Sequence, residues 1–310
     1  MARKVQVLLS AYNGERYIQQ QIESVMEQSW REVSLLIRDD GSSDGTLKVI
    51  QRLAEQYQGR ITWVQGGNLG VIGSFFELLK MSDETADYYC FCDQDDVWLP
   101  HKVESAVERL ESSVNCRTPA MMFTSVQLVD EQLREKGIWP KPPRREPSFY
   151  NALYENIAIG ATITFNKEAW HLCQQYSYPN PSRLLMHDWW FYIMISAFGH
   201  VIYDHKPSML YRQHGGNLVG GSNTISGRLK NKWRSFKKHF GRDLLLQQAK
   251  EFHIIYGAQL SDDMKQELQQ WIAPRSSLAE RIRYSHHSKL YRQSGLENIW
   301  FKLMVLIGKL

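Results

Sequence analysis

The sequence predicts an α/β fold: a doubly wound, mostly parallel sheet flanked by helices, with a helical carboxyl-terminal extension. Three observations carry this reading. Short apolar runs of strand character alternate with segments whose apolar residues recur at helical spacing, the pattern of successive βα units. Three of the strand-like runs end in polar loops rich in Asp, Asn, Ser and Gly, at residues 10–14, 39–46 and 93–96. Beyond residue 225 the charge balance changes sign: residues 226–310 hold 16 Lys and Arg against 7 Asp and Glu. That is a net +9 in a chain whose total is +4, leaving −5 for residues 1–225.

The elements run in order. Val5-Gln6-Val7-Leu8-Leu9 reads as a strand, and Ser10-Ala11-Tyr12-Asn13-Gly14 as the loop after it. A helix is expected from about Glu15, with Tyr17, Ile18, Ile22, Val25 and Met26 on its apolar face. The first loop lacks the glycine spacing of a dinucleotide fingerprint or a P-loop, so a bound nucleotide is not expected in a glycine-rich cradle. Residues 33–38 form the second strand. Asp39-Asp40-Gly41-Ser42-Ser43-Asp44-Gly45-Thr46 comes next, then a helix from Leu47 that Ser43 or Asp44 would cap. A capped turn accounts for residues 41–45 but not for two carboxylates at the strand's end.

The run Tyr88-Tyr89-Cys90-Phe91-Cys92 ends in Asp93-Gln94-Asp95-Asp96, three carboxylates within four residues. Like charges this close raise one another's pKa unless a cation neutralises them. Asp93 and Asp95 fall on the same side of an extended segment. Hard carboxylate oxygens bind Mg²⁺ or Mn²⁺, which bridges the oxygens of a polyphosphate. Carboxylates at the carboxyl end of a buried strand also stand where open α/β sheets bind ligands. The competing reading is an acidic surface turn, and position favours the metal. Farther on, residues 121–130 read as one strand, 137–148 as an irregular proline-rich stretch near an acceptor, and 156–165 as a return to strand.

Order and spacing of Ser10-Ala11-Tyr12-Asn13-Gly14, Asp39 through Thr46, and Asp93-Gln94-Asp95-Asp96-Val97-Trp98-Leu99-Pro100 resemble the inverting family-2 glycosyltransferases of GT-A fold. Leu185-Met186-His187-Asp188-Trp189-Trp190 resembles the family's acidic motif that supplies the catalytic base. Tyr211-Arg212-Gln213-His214-Gly215-Gly216 resembles the segment that closes the site in bacterial rhamnosyltransferases of polysaccharide synthesis. The resemblance covers residues 3 to 220. It implies a GT-A catalytic domain over 1–225, with 226–310 as a basic, mainly helical extension. It implies transfer of L-rhamnose from dTDP-L-rhamnose, or of a sugar from a UDP-sugar, to a glycan or lipid-linked glycan. It implies that Ser10, Ala11, Tyr12, Asn13, Asp40, Asp93 and Gln94 bind the nucleotide sugar, with Asp40 on a pyrimidine base and Mg²⁺ or Mn²⁺ at Asp95 and Asp93. Gly160 and Trp189 would contact the acceptor.

Two assignments rest on what sugar transfer needs. An attacking hydroxyl must lose a proton, so a carboxylate is required on the face opposite the leaving diphosphate; Asp188 is the expected base, although it would also serve as a helix cap. His214 is expected as a metal or diphosphate ligand, since imidazole suits Mn²⁺. Arg212 is expected to neutralise the diphosphate.

Composition narrows the rest. A chain of 310 residues is long enough for an α/β core with an appendage. Cys90, Cys92, Cys116 and Cys173 form neither a zinc pattern nor a disulfide framework, which points to a reducing compartment. No leader-like segment and no membrane-crossing run is expected. The expectation is a cytoplasmic protein held at the inner face of the cell membrane, because basic stretches such as Arg228-Leu229-Lys230 and Lys237-Lys238 beside Trp233 and Phe236 suit an anionic surface. The competing reading of the extension is a helical lid. No nucleic-acid motif accompanies the charge. A nucleotidyltransferase would carry a glycine-rich triphosphate loop near the amino terminus, and a non-catalytic nucleotide-sugar sensor or membrane scaffold would have no use for Asp188.

Overall fold

The computed structural model describes residues 3–115, 117–214 and 242–309. The chain forms two compact units. The first comprises Met1–Pro142, Ala158–Gln175 and Gly199–Gly220; the second comprises Pro143–Ile157, Tyr176–Phe198 and Gly221–Leu310. The sequence-based boundary at 225/226 and the basic stretch 228–238 lie outside the described residues, as does Cys116.

In chain order the first unit opens with β1 (Val5–Ala11), α1 (Ile18–Met26), β2 (Val33–Asp39), α2 (Thr46–Gln56), β3 (Ile61–Gln65), α3 (Gly70–Met81) and β4 (Tyr88–Cys92). It continues through β5 (Val97–Trp98), α4 (Lys102–Ser113), β6 (Ala120–Thr124), β7 (Val126–Val129) and β8 (Glu135–Trp139). The second unit then contributes α5 (Phe149–Ala152), the first adds β9 (Thr164–Asn166) and α6 (Lys167–Gln174), and the second adds α7 (His187–Phe198). After β10 (His200–Asp204) and β11 (Met209–Arg212), the second unit ends in α8 (Arg242–Tyr256), α9 (Asp262–Ile272), α10 (Leu278–His287) and α11 (Gly295–Leu306).

The main sheet has the order β10-β6-β9-β4-β1-β2-β3. Every neighbouring pair is parallel except those of β9, which runs antiparallel to both β4 and β6. The expected doubly wound, mostly parallel sheet is therefore present. Its central strands are buried on both faces, as continuous apolar runs require: Val7, Leu8 and Leu9 are at 0% exposure, and so are Cys90, Phe91 and Cys92. Helices cover both faces with apolar stripes, Ile18, Ile22 and Val25 from α1 and Phe75, Leu78 and Leu79 from α3. Each such side chain contributes about 1.5–3 kcal/mol on burial. Register decides where the loops fall. Ala11 pairs with Asp39 and Leu9 with Cys92, so β1, β2 and β4 end side by side.

Four readings of the sequence are corrected. The helix expected from about Glu15 starts at Ile18, after a turn in which Gly14 O accepts from the Tyr17 and Ile18 N–H groups at 3.0 Å. Residues 121–130 are two strands in two sheets. The break is Ser125, whose N–H donates to Asp204 O at 3.1 Å and whose hydroxyl contacts Tyr203 Oη at 2.6 Å and Pro140 O at 3.1 Å. The irregular stretch expected from 137 begins inside β8, paired with β7 in a small sheet of order β5-β11-β7-β8. Residues 156–165 are mostly not strand: Gly160–Thr162 is a 3-10 turn, and only Thr164 and Phe165 belong to β9.

The second unit is helical, in keeping with the expected carboxyl-terminal helices. α7 is its centre: His187 through Ile195 are all buried, the mark of a helix surrounded on every side. Trp190 meets Phe252 at 5.4 Å and Tyr256 at 6.1 Å between ring centroids. Tyr154 meets Phe301 at 4.5 Å and Trp271 at 5.8 Å. Caps fix the helix starts: Ser277 and Glu280 form a reciprocal capping box on α10.

Candidate active site

The three motif loops stand at the carboxyl ends of β1, β2 and β4, and side-chain-to-backbone hydrogen bonds stitch them together. The first and second loops are joined by several hydrogen bonds. Asn13 N–H donates to Ser42 Oγ at 2.9 Å, and Asn13 Oδ1 accepts from Ser43 N–H at 2.8 Å. Gly14 N–H donates to Thr46 Oγ1 at 2.8 Å, and Gly45 N–H to Glu15 Oε2 at 2.9 Å. Asn13 holds φ +49°, which Asn tolerates better than most residues. Gln94 joins the first loop to the third, accepting from Tyr12 N–H at 2.8 Å and donating to Tyr12 O at 2.9 Å. This strap explains Gly14, where a Cβ would lie 2.2 Å from Gln94 Oε1. Residue 44 serves α2 as the sequence suggests, its Oδ1 accepting from Thr46 N–H at 3.0 Å, although the N-cap position itself is Gly45.

Ser10 and Ala11 are the last residues of β1, and Ser10 Oγ donates to Ser74 Oγ at 2.7 Å. Tyr12 is 47% exposed above them. Asp40 is buried, with its carboxylate accepting from Arg38, from Leu69 N–H at 2.9 Å and from Gly70 N–H at 2.9 Å. It thus ties the second loop to the start of α3.

In the third loop Asp93, Gln94 and Asp95 are half-buried and Asp96 is fully buried. Burial, reinforced by Asp95 and Asp93, pushes the Asp96 carboxyl well above the usual carboxylate range. One Asp96 oxygen accepts from Arg212 N–H at 3.0 Å; the other, Oδ2, is buried with no hydrogen-bond partner among the described residues. β11 brings Arg212 and His214 against this loop through its pairing with β5 and β7. His214 Nε2 lies 2.8 Å from Asp95 Oδ2. Arg212 is 2% exposed and its three nitrogens are engaged within the protein: with Asp95 O at 2.9 Å, Glu131 O at 2.8 Å and Gln20 Oε1 at 2.6 Å. Its charge therefore lies beneath the acidic loop.

Tyr17 completes this support. Its ring stacks on His214 at 5.0 Å and lies under the Arg212 guanidinium at 4.7 Å. The sequence shows Tyr17 and Gln20 only as ordinary positions of an amphipathic helix, so periodicity conceals both. Gln21, buried on the same helix, donates to Cys92 Sγ at 3.0 Å at the foot of the loop. Among the described residues, no group of three or more His, Cys, Asp and Glu is arranged to hold a metal ion. The donor chemistry still fits a hard divalent cation: a carboxylate and an imidazole already in contact, a second half-buried carboxylate at Asp93, and an orphaned carboxylate oxygen at Asp96.

Gly160 sits in the 3-10 turn, where the Ile163 carbonyl accepts from Phe91 N–H at 3.2 Å and the Thr162 carbonyl from the buried Lys102 Nζ at 3.2 Å. Asp188 belongs to the helical unit, in the first turn of α7. Its Oδ1 accepts from Asn156 Nδ2 at 3.0 Å and from Trp189 N–H at 2.6 Å. The Trp189 indole donates to Ala152 O at 2.6 Å. His187 beside it is buried, and burial lowers its pKa to about 3.

Comparison with known proteins bears on the family and the fold. Over 239 residues the chain is 29% identical to the dTDP-rhamnosyl transferase RfbG of Shigella flexneri, covering 73% of this chain and 80% of that one. The structure of S. aureus TarS 1–349 in complex with UDP-GlcNAc superimposes with a TM-score of 0.59 at 15% identity, covering 98% of this chain and 81% of the other. The mannosyltransferase PcManGT from Pyrobaculum calidifontis, solved with GDP-Man and Mn²⁺, gives a TM-score of 0.51 at 14% identity, covering 97% and 88%. At such identities the two structures establish the fold, which is of GT-A type. The sequence model of glycosyl transferase family 2 matches residues 6–172, more than half of the chain and all three motif loops, and this chain belongs to that family.

Proposed function

We propose that the protein transfers a sugar with inversion, L-rhamnose from dTDP-L-rhamnose first among donors, to a hydroxyl of a glycan or lipid-linked glycan in bacterial cell-surface polysaccharide synthesis. The observation that carries the reading is the convergence of the three loops at the carboxyl ends of parallel strands, with Asp95 in contact with His214 there and Asp93 in the same loop. The rhamnosyl donor is favoured by the relative RfbG, named for that donor. A UDP-sugar donor is the second reading, favoured by TarS, whose structure holds UDP-GlcNAc.

The nucleoside rests on Ser10, Ala11, Tyr12 and Asn13, with Gln94 fixing the backbone of Tyr12. A carboxylate accepts about four hydrogen bonds; Asp40 uses three on Arg38, Leu69 and Gly70, which leaves one for the N–H of a pyrimidine base. Asp95, with Asp93 and His214, would hold Mg²⁺ or Mn²⁺, which would supply Lewis-acid stabilisation of the departing diphosphate. Arg212 acts from beneath, balancing the charge of the loop that carries these ligands. Asp188 takes the proton of the acceptor hydroxyl as it attacks the anomeric carbon, its plane fixed by Asn156 and the Trp189 N–H. Gly160 and Trp189 are the residues assigned to the acceptor. The basic carboxyl-terminal part holds the enzyme at the inner face of the membrane. Among the described residues no helix is long and apolar enough to cross a bilayer.

A panel of nucleotide sugars tests the assignment, scored for donor turnover with and without chelator and for the anomeric configuration of the product. Turnover of dTDP-L-rhamnose above all UDP-sugars, with inversion, is expected. Retention of configuration would remove Asp188 as a direct base, and a preference for UDP-sugars would establish the second reading.

A further inference from the structure

The two last helices carry large apolar side chains that stay exposed among the described residues. On α11, Phe301 and Val305 point inward at 2% and 0% exposure. Leu296, Ile299, Trp300, Leu303 and Ile307 keep the i, i+3, i+4, i+7 spacing of the opposite face and are 80%, 60%, 51%, 47% and 61% exposed. α10 adds Leu278 and Ile282, one turn apart, at 61% and 43%. The helices pack on each other, and the Arg281 side chain abuts Gly308, so the end of α11 lies beside the start of α10. Seven of the large apolar side chains exposed among the described residues thus belong to one helical pair. Isolated exposed apolar residues need no explanation, whereas a continuous stripe does.

The surrounding charge selects the occupant. Lys302, Lys309, Arg283 and the imidazoles of His286 and His287 are exposed around this pair. From Leu278 to Lys309 the chain carries six Lys and Arg against two acidic residues, Glu280 and Glu297. A two-fold contact between copies of this chain would set that positive rim against itself. An anionic bilayer meets it with opposite charge. Lys side chains can reach the head groups while their stems lie on the apolar boundary, and Trp is suited to that depth.

We propose that the α10–α11 face inserts into the head-group boundary of an anionic lipid bilayer, with Ile299, Trp300 and Leu303 at its centre. This deepens the membrane part of the proposed function: adhesion by charge alone is replaced by insertion of an apolar face at a defined place. It does not depend on which sugar is transferred.

The test uses the full chain and vesicles of phosphatidylglycerol and phosphatidylethanolamine, with phosphatidylcholine vesicles for comparison. The native protein should sediment with the anionic vesicles and keep a bound fraction at high salt, where surface charge is screened. The exposed pair Ile299→Asn/Leu303→Asn should lower partitioning at least about tenfold and abolish the salt-resistant fraction, with melting temperature and donor turnover unchanged. Lys302→Gln/Lys309→Gln should weaken binding at low salt and spare the salt-resistant fraction. Complete release of the native protein at high salt, or binding unchanged in the Asn pair, would overturn insertion. So would a concentration-dependent dimer, formed without vesicles and lost in the Asn pair. Vesicle binding without donor turnover would uphold this inference while removing the enzymatic reading.

Discussion

Asp188 is the residue on which the mechanism turns, and the helix it belongs to offers a rival explanation for it. α7 begins at His187, so Asp188 lies inside its first turn and not at the N-cap the sequence suggests. Asn keeps an oxygen for the bonds from Asn156 and the Trp189 N–H, so Asp188→Asn preserves them and removes the ability to accept a proton. Turnover should fall by about 10²–10⁴-fold with donor affinity and melting temperature held; near-native turnover would leave Asp188 a structural residue. Asp95 is tested from the other side. Its carboxylate is partly exposed beside His214, so Asp95→Ala should leave the fold intact while transfer is lost, as it should be in EDTA. Full activity in EDTA would remove the metal from the site. His187 gives a pH signature independent of activity. Its folded pKa is depressed from 6.5 to about 3 by burial, so between those values the unfolded chain binds the extra proton. The stability this neutral imidazole contributes is present above pH 6.5 and is lost as pH falls toward 3, at up to about 1.4 kcal/mol per pH unit. His187→Leu should flatten the melting temperature between pH 7 and 5; equal slopes in the two proteins would refute a buried neutral imidazole.

At the scale of elements, the strands and loops that carry chemistry are legible because each is local. Central parallel strands are continuous apolar runs, and Asp93 to Asp96 stand out as charge where such a run ends. The features that the sequence conceals depend on partners far along the chain. β9 is only three residues long and antiparallel, so it has no periodicity to display, and the small sheet is assembled from four short pieces between Val97 and Arg212. Residues 121–130 read as one strand because Thr124 and Ser125 interrupt the apolar residues only briefly, and the pivot role of Ser125 needs Tyr203 and Pro140. The sequence likewise gives no sign that Gln20 and Tyr17 contact the Arg212 guanidinium. The Gln94 strap is another long-range feature with a direct test. Gly14→Ala places a methyl group against Gln94 Oε1, and Gln94→Ala deletes both bonds to Tyr12, each worth about 0.5–1.5 kcal/mol. Each should raise the donor KM, while the double variant should be scarcely worse than either single one, because both remove the same strap. Additive losses would show that the two residues act independently.

For the whole molecule, the order of segments matters more than any one contact. The chain enters and leaves the helical unit repeatedly, contributing Pro143–Ile157, Tyr176–Phe198 and Gly221–Leu310 in turn. Sequence composition marks only the last of these, through its excess of Lys and Arg, and places a boundary at residue 225 as though residues 226–310 were an appendage. Packing within the unit says what would happen if the chain ended there. Phe149, Tyr154 and Trp190 come from the earlier segments, and their ring partners Phe252, Tyr256, Trp271 and Phe301 come from α8, α9 and α11. Removing residues 226–310 therefore strips the partners from three large, buried side chains, and losing the cover of even one aromatic residue typically costs about 3–5 kcal/mol. That sum is comparable to the whole stability of an ordinary domain. A chain truncated after residue 225 should accumulate in the insoluble fraction or melt without a cooperative transition. In contrast, Ile299→Asn/Leu303→Asn, which changes only the exposed side of the same unit, should melt as the native protein does. A soluble, cooperatively melting truncated chain that still turns over donor would show that the first unit suffices and that α8 to α11 form a separable appendage.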